Sequence, residues 1–246
     1  FISDAKQALF DTGNHSAAGN LSSFESLSRL ENLCKLAATD RAVSLTSFDM
    51  DPMLVAAPNQ WIDLKSGEAF DPDLSISVSK VIATDYCAKS ECPNFEAFLG
   101  DIFENDPDLI DYVQRAIGYS LTGSTSDQCL FILIGDGANG KSTFVNVINK
   151  LLGDYSKAAS SQTLVAKGSS SIGDDLVDLV SARLISVSET ESGEALAEAK
   201  IKQMTGGDVL KGRPLYGSWL EFSIVGKIFL ATNSLPQINN TDHGIW

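Results

Sequence analysis

The chain has 246 residues, 43% hydrophobic and 20% charged, an ordinary profile for a globular protein with room for one large or two modest domains. Its net charge is −14, with 8 basic and 20 acidic side chains in residues 1–128 against 10 and 12 in residues 129–246. That excludes a protein held on nucleic acid by bulk basicity and leaves only a local basic contact, in the second half, for a polyanion. The cysteines Cys34, Cys87, Cys92 and Cys129 and the histidines His15 and His243 lack paired metal-ligand spacing, so a reduced, cytoplasmic protein is expected. The longest apolar run, residues 129–134, is too short to cross a bilayer, and no membrane partner is expected. A chain that opens on Phe1 and closes on Trp246 reads as a piece of a longer protein.

In chain order, the apolar spacing of residues 21–38 predicts a helix. Residues 49–73, with Pro52, Pro58, Gly67 and Pro72, predict turns joining short strands, including a hairpin at 61–68. Helices are predicted at 94–103 and 107–121, the second started by an Asp106 cap with Pro107 in its first turn. The Gly and Ser/Thr loop at 122–128 is the expected domain boundary, giving an accessory, collar-like mixed or helical domain at 1–122 and an α/β domain at 123–246. In the second half, strands are predicted at 129–134, 183–188 and 227–232, and helices at 141–152, 174–181 and 194–204. Residues 208–224 read as hairpin-rich. Strand and helix in alternation predict a central parallel sheet.

The segment Gly135-Asp136-Gly137-Ala138-Asn139-Gly140-Lys141-Ser142 fits G-x-x-x-x-G-K-[ST] in full, between a predicted strand and a predicted helix. Glycines let successive backbone N–H groups curl around phosphate oxygens, and the helix start adds its dipole. In such a loop Lys141 reaches the β- and γ-phosphates, Ser142 ligates Mg²⁺ and Thr143 adds a phosphate contact. Glu189 and Glu191 follow the 183–188 strand, where an acid can hold magnesium or polarise water. Equally, residues 189–194 can be a solvated acidic turn. Asn233, at the end of the 227–232 strand, can orient water or simply form a turn. Lys211 and Arg213, flanked by Tyr216 and Trp219, suit either a nucleic-acid backbone with base stacking or an ordinary surface hairpin.

Taken together, GDGANGKST, RLISVSETE, AKIKQMTGGDVLKGRPLYG, KIFLATNSLP and TDHGIW, in that order, resemble the phage and plasmid primase–helicase family. These are superfamily 3 helicases related to the poxvirus primase-helicase. FDMDPMLVAAPNQWIDLKSGE, CPNFEAFLGDIF and LIDYVQRAIGYSLTGSTSDQ extend the resemblance upstream, over roughly residues 48–246. The resemblance implies an AAA+-like ATPase core that uses ATP and Mg²⁺, assembles as a ring, usually a hexamer, and moves on DNA, single-stranded or at a fork. A primase or polymerase domain is an implied partner. It makes Lys141 and Ser142 the Walker A residues, Glu189 the Walker B acid and Asn233 the sensor. Lys202 and Gly206-Gly207-Asp208 then lead to a DNA-facing hairpin carrying Lys211 and Arg213. Two departures are visible: single acids separated by Thr190 stand where adjacent acids are usual, and the chain stops before the expected arginine finger and last core strand. It is therefore expected to bind nucleotide better than it hydrolyses it. Two rivals stay open on the residues alone, a P-loop small-molecule kinase and an ATP-switched initiator or loader without unwinding.

Overall fold

The computed structural model describes residues 2–17, 27–40, 47–165, 174–188, 195–213 and 217–238. Packing divides the chain into Phe1–Ser47 and Phe48–Trp246. The first unit contains α1 (Ile2–Asp11) and α2 (Leu27–Asp40). The sequence reading did not anticipate α1, whose stop signal is local: Gly13 has φ +76 and donates its N–H to Phe10 O, while Thr12 Oγ1 donates to Ala8 O. The predicted helix at 21–38 is found as α2 from Leu27; its first six positions lie outside the described residues.

The second unit opens with a three-stranded antiparallel sheet of β1 (Leu54–Ala56), β2 (Trp61–Asp63) and β3 (Ala69–Phe70). Gly67, at φ +75, closes the β2–β3 turn as a left-handed residue. Then come α3 (Pro93–Ile102) and α4 (Pro107–Leu121). Asp106 caps α4 as expected, its carboxylate accepting from the Asp108 and Leu109 N–H groups at 3.0 and 3.2 Å.

Next in order are β4 (Leu130–Ile134), α5 (Lys141–Leu152), β5 (Ser156–Ala159), α6 (Asp174–Val177), β6 (Leu184–Ser188), α7 (Glu198–Thr205), β7 (Leu210–Gly212), β8 (Leu220–Phe222) and β9 (Lys227–Thr232). The main sheet has four strands, all parallel, in the order β4-β9-β6-β5, while β7 and β8 form a separate hairpin. Helix α6 is shorter than predicted, because the chain turns after Val177 and Ser181 takes φ +65.

Strand alternation sorts the core into two layers. Phe229 and Ala231 of β9, with Leu184 of β6, face one cluster, with Phe144, Ile148 and Leu152 of α5 and Val113 of α4. Ile228 and Leu230, with Ile185 and Val187, face the other, with Leu176, Ile201 and Met204. The first cluster draws from both sides of the expected boundary at 122/123: Val55, Leu99 and Val113 pack with Phe144 and Phe229. By packing alone, the chain divides at 47/48. Among the described residues no helix is long and apolar enough to cross a membrane.

Two buried cations tie α4 to the sheet. Arg183 Nη1 donates to Leu121 O at 2.6 Å, Nη2 donates to Asp51 O at 3.3 Å, and the guanidinium lies over the Tyr155 ring. Lys227, 3% exposed, donates from Nζ to Thr122 O, to Ser124 O at 3.0 Å and to Val225 O at 3.2 Å. The carbonyls of a helix C-terminus carry partial negative charge and lack intrahelical donors, so they suit such partners. Burial, and then the nearby Arg183 charge, push the Lys227 ammonium down to about 7.

Replacing Lys227 with Met should cost about 1–3 kcal/mol, since buried carbonyls lose their donor. A pH signature accompanies it. From about 7 up to the ordinary 10.5, Lys227 is neutral when folded and protonated when unfolded. The unfolded state then binds more protons, so stability rises with pH across that window. Denaturant titrations from pH 7 to 9 should show this rise in the natural chain and a smaller one in Lys227→Met; equal slopes would contradict it.

Candidate nucleotide-binding site

Strand β4 ends at Ile134, and the chain enters the glycine-rich loop directly. The loop runs to Gly140, which stands at the start of α5 with φ +86 and no side-chain cap. Ala138 also takes a left-handed φ, +63. A Cβ on Gly140 would meet Ile102 Cγ2 at 2.6 Å, so α3 braces the loop at the foot of α5. A Cβ on Gly135 would collide with the Asn139 carboxamide, which lies across the loop. Gly140 is thus required by contact and by backbone conformation, whereas a side chain at Gly135 would have to displace the exposed Asn139 carboxamide.

Lys141 Nζ donates to Gly135 O at 2.5 Å, Asp136 O at 3.1 Å and Asn139 Oδ1 at 2.8 Å. The ammonium is therefore folded over the loop, held by groups of the loop itself. Ser142 and Thr143 occupy the first turn of α5, which contains no acidic side chain. Uncapped N–H groups, two hydroxyls and an ammonium at one helix start form a donor set for an anion.

The parallel pairing brings two other strand ends to this loop. Register places Ile134 beside Thr232 and Ser188 beside Ala231. A cavity of about 380 Å³ is lined by the loop from Gly137, by Lys141, Ser142 and Thr143, and by Ser188, Ala231, Thr232 and Asn233. Of the residues singled out in the sequence, Lys141, Ser142, Thr143 and Asn233 therefore share one cavity. Sequence reasoning missed Ser188 and Thr232; the only signal was their place at strand ends. Glu189, Glu191 and Tyr216 lie outside the described residues. The residues present fit a magnesium-bound triphosphate: backbone donors and Lys141 for its oxygens, and a hydroxyl on Ser142 for the metal.

The predicted basic residues are placed elsewhere. Lys202 lies on α7, which ends at the Gly206-Gly207 turn, with Gly207 at φ +73. Lys211 on β7 faces Glu221 on β8 and pairs with it at 2.9 Å; that hydrogen bond raises the ammonium above its usual range. Arg213 lies over the Trp219 ring, 5.4 Å from its centre, and Trp219 is 64% exposed. The exposed chemistry of the hairpin is thus a cation on an aromatic face, and Lys211 is already partnered.

Comparison with known proteins places this arrangement. Residues 9–104 match the family described as D5 N terminal like, and residues 133–244 match a family of unknown function, DUF5906. A helicase-named protein of Acanthamoeba polyphaga mimivirus, L207/L206, is 31% identical over 209 residues, covering 82% of this chain and 22% of that protein. A helicase-named protein of Frog virus 3 (isolate Goorha), 022R, is 26% identical over 156 residues, covering 61% and 16%. The chain thus spans about a fifth of the length of these curated relatives. The apo structure of the NrS-1 C-terminal region, in its A form, superposes with a TM-score of 0.51 at 14% identity, covering 75% of this chain and 42% of that one. A second apo structure of that region gives 0.51 at 13% identity, covering 75% and 43%. At these identities the structural likeness shows the fold, an α/β architecture on a four-stranded parallel sheet. With both segment families in order and a helicase-named viral relative across most of its length, the chain is similar to viral helicase-type proteins.

Proposed function

We propose that this chain is the ATPase–helicase core of a viral or phage replication protein. In this reading it is a P-loop ATPase of the superfamily 3, AAA+-like type, acting on DNA as a ring of identical subunits, with six the expected number and a primase or polymerase domain as partner. The single observation that carries it is the convergence of the glycine-rich loop, the β6 tip and the β9 tip on one cavity. A small-molecule kinase needs the first of these but not a paired set of strand-end polar residues.

The residues then divide the work. The N–H groups of residues 137–143 cradle phosphate oxygens. Lys141 exchanges its three acceptors within the loop for phosphate. Ser142 and Glu189 are the side chains that would hold Mg²⁺, and Glu189 or Glu191 accepts a proton from the attacking water. Asn233 orients that water. When bound, ATP supplies the γ-phosphoryl group whose transfer to water releases the free energy for movement. DNA is met by the β7–β8 hairpin, where Arg213 faces a phosphate and Trp219 offers a ring to a base.

Lys141→Ala should abolish ATP binding measured by calorimetry while leaving far-UV circular dichroism unchanged. Unchanged ATP affinity would overturn the assignment. Gly140→Ala should lose both affinity and stability, the latter by about 1–3 kcal/mol, because it strains φ and meets Ile102. On single-stranded DNA, Trp219→Ala and Arg213→Ala should each weaken binding, the former by about 1–3 kcal/mol, with ATP affinity spared. Lys211→Ala should change binding little, since Glu221 already offsets its charge. A larger loss from Lys211→Ala than from Arg213→Ala would move the contact away from the aromatic face.

A further inference from the structure

Between α5 and the sheet lies an apolar layer, Phe144, Ile148 and Leu152 against Leu184 and Phe229, and a polar side chain enters its edge. The Asn149 carboxamide reaches across from α5. Its Nδ2 donates to Ser186 Oγ of β6 at 3.0 Å, and its Oδ1 accepts from Ser156 Oγ of β5 at 2.5 Å. We propose that Asn149 and Ser186 are positioning residues for the metal end of the phosphate site, their hydrogen bond setting the separation between Ser142 and the tip of β6. The inference rests on the phosphate reading of the glycine-rich loop.

Strands β4 and β5, which flank α5 in the chain, run in the same direction, so α5 runs back along the sheet from its phosphate end. On it Asn149 follows Ser142 by seven residues, two turns that return to the same helix face about 10 Å away. On β6 Ser186 precedes Ser188 by two residues, about 7 Å. Both therefore lie on the face that carries Leu184 toward α5. Ser142 and Ser188 line the phosphate cavity, and the Asn149–Ser186 bond joins the same two elements, on the same two faces, one level below it. Each group in the relay has one role. Ser156 donates to Asn149, Asn149 donates to Ser186, and the Ser186 hydroxyl is left to donate to Lys157 O, 3.5 Å away. Ser186 is 4% exposed, so bulk water does not replace a lost partner there. Apolar side chains resist separation of helix and sheet but permit sliding and rotation; a satisfied, directional bond at their edge does not. Ser142 offers the metal a hydroxyl in the reading above, and the chain beyond Ser188 continues into Glu189. A helix turned about this strut would move the one relative to the strand that leads to the other.

The test is calorimetry on the full chain with ATP, once with Mg²⁺ and once with EDTA. It compares the natural protein with Asn149→Leu, Ser186→Ala, Ser142→Ala and Lys141→Ala, and follows thermal unfolding by circular dichroism alongside. The natural chain should bind ATP more tightly with Mg²⁺ than in EDTA. Asn149→Leu and Ser186→Ala should each weaken ATP with Mg²⁺ about tenfold and leave ATP in EDTA unchanged, as loss of a group that orients a metal ligand does. Ser142→Ala should show the same split. The double variant Asn149→Leu/Ser142→Ala should lose no more than Ser142→Ala, since the strut acts through that hydroxyl. Where Lys141→Ala loses ATP, three results overturn the positioning role while the phosphate reading stands: a lower Tm with an unchanged Mg²⁺ split, an equal loss with and without the metal, or a natural chain that binds ATP equally in both. If Asn149→Leu does not fold, Ser186→Ala, which removes a single hydroxyl, decides by the same split. If Lys141→Ala binds ATP as the natural chain does, the phosphate reading fails and the positioning role fails with it.

Discussion

Everything functional in the second unit hangs on β9. It is buried along all six residues and pairs in parallel with β4 on one side and β6 on the other. Parallel pairing points three strand ends the same way, and neighbouring strands lie about 4.8 Å apart, so those ends span only about 10 Å. Into that width come the glycine-rich loop, Ser188, Thr232 and Asn233. An antiparallel neighbour would have sent one of these ends to the opposite side of the sheet. The polar tips are affordable because ligands bind beyond the carboxyl ends of parallel strands, where the backbone no longer needs ladder partners.

The opposite ends of the same strands hold the second constraint. Arg183 and Lys227 are buried where β6 and β9 begin, and their hydrogen bonds go to backbone carbonyls and the Thr122 hydroxyl. Asp49 and Asp51 act on Arg183, and Asp127 on Lys227, through space. A helix C-terminus thereby becomes the counter-dipole for Arg183 and the acceptor for the Lys227 amine. This fixes the C-terminal end of α4, while Leu109 and Tyr112 near its start line one cavity with Asn139 and Lys141. The brace of Ile102 against Gly140 acts in the same sense from α3. The helices upstream of the loop thus pack into the same core as α5 and β9.

Much of this was legible before any coordinates. Helix α4 carries its own start, Asp106 with Pro107, and its predicted span 107–121 matches the observed one. Helix α5 and strand β9 also match, because a full phosphate-loop motif and an unbroken apolar run announce them. The misses share a cause. Strand β5, Ser156–Ala159, contains no β-branched or aromatic residue and exists because β6 pairs with it. Helix α1 lies outside the elements expected from sequence, although Gly13 marks its end. The pairing of Lys211 with Glu221 depends on the β7–β8 register, which no local pattern reveals.

By itself the sequence determined the position of the glycine-rich loop between a strand and a helix, the parallel α/β character of the second half and the existence of a hairpin with Arg213 near Trp219. These follow from short-range spacing, since backbone conformation and side-chain period act within a few residues. The tertiary structure alone decided which polar strand ends meet the loop, that Lys227 sits buried against a helix end, that Lys211 is already matched, and that Tyr112 lines an apolar groove along β4. Each of those depends on residues tens of positions apart being desolvated together, and the free energy of that desolvation belongs to the packed arrangement and to no segment of the chain.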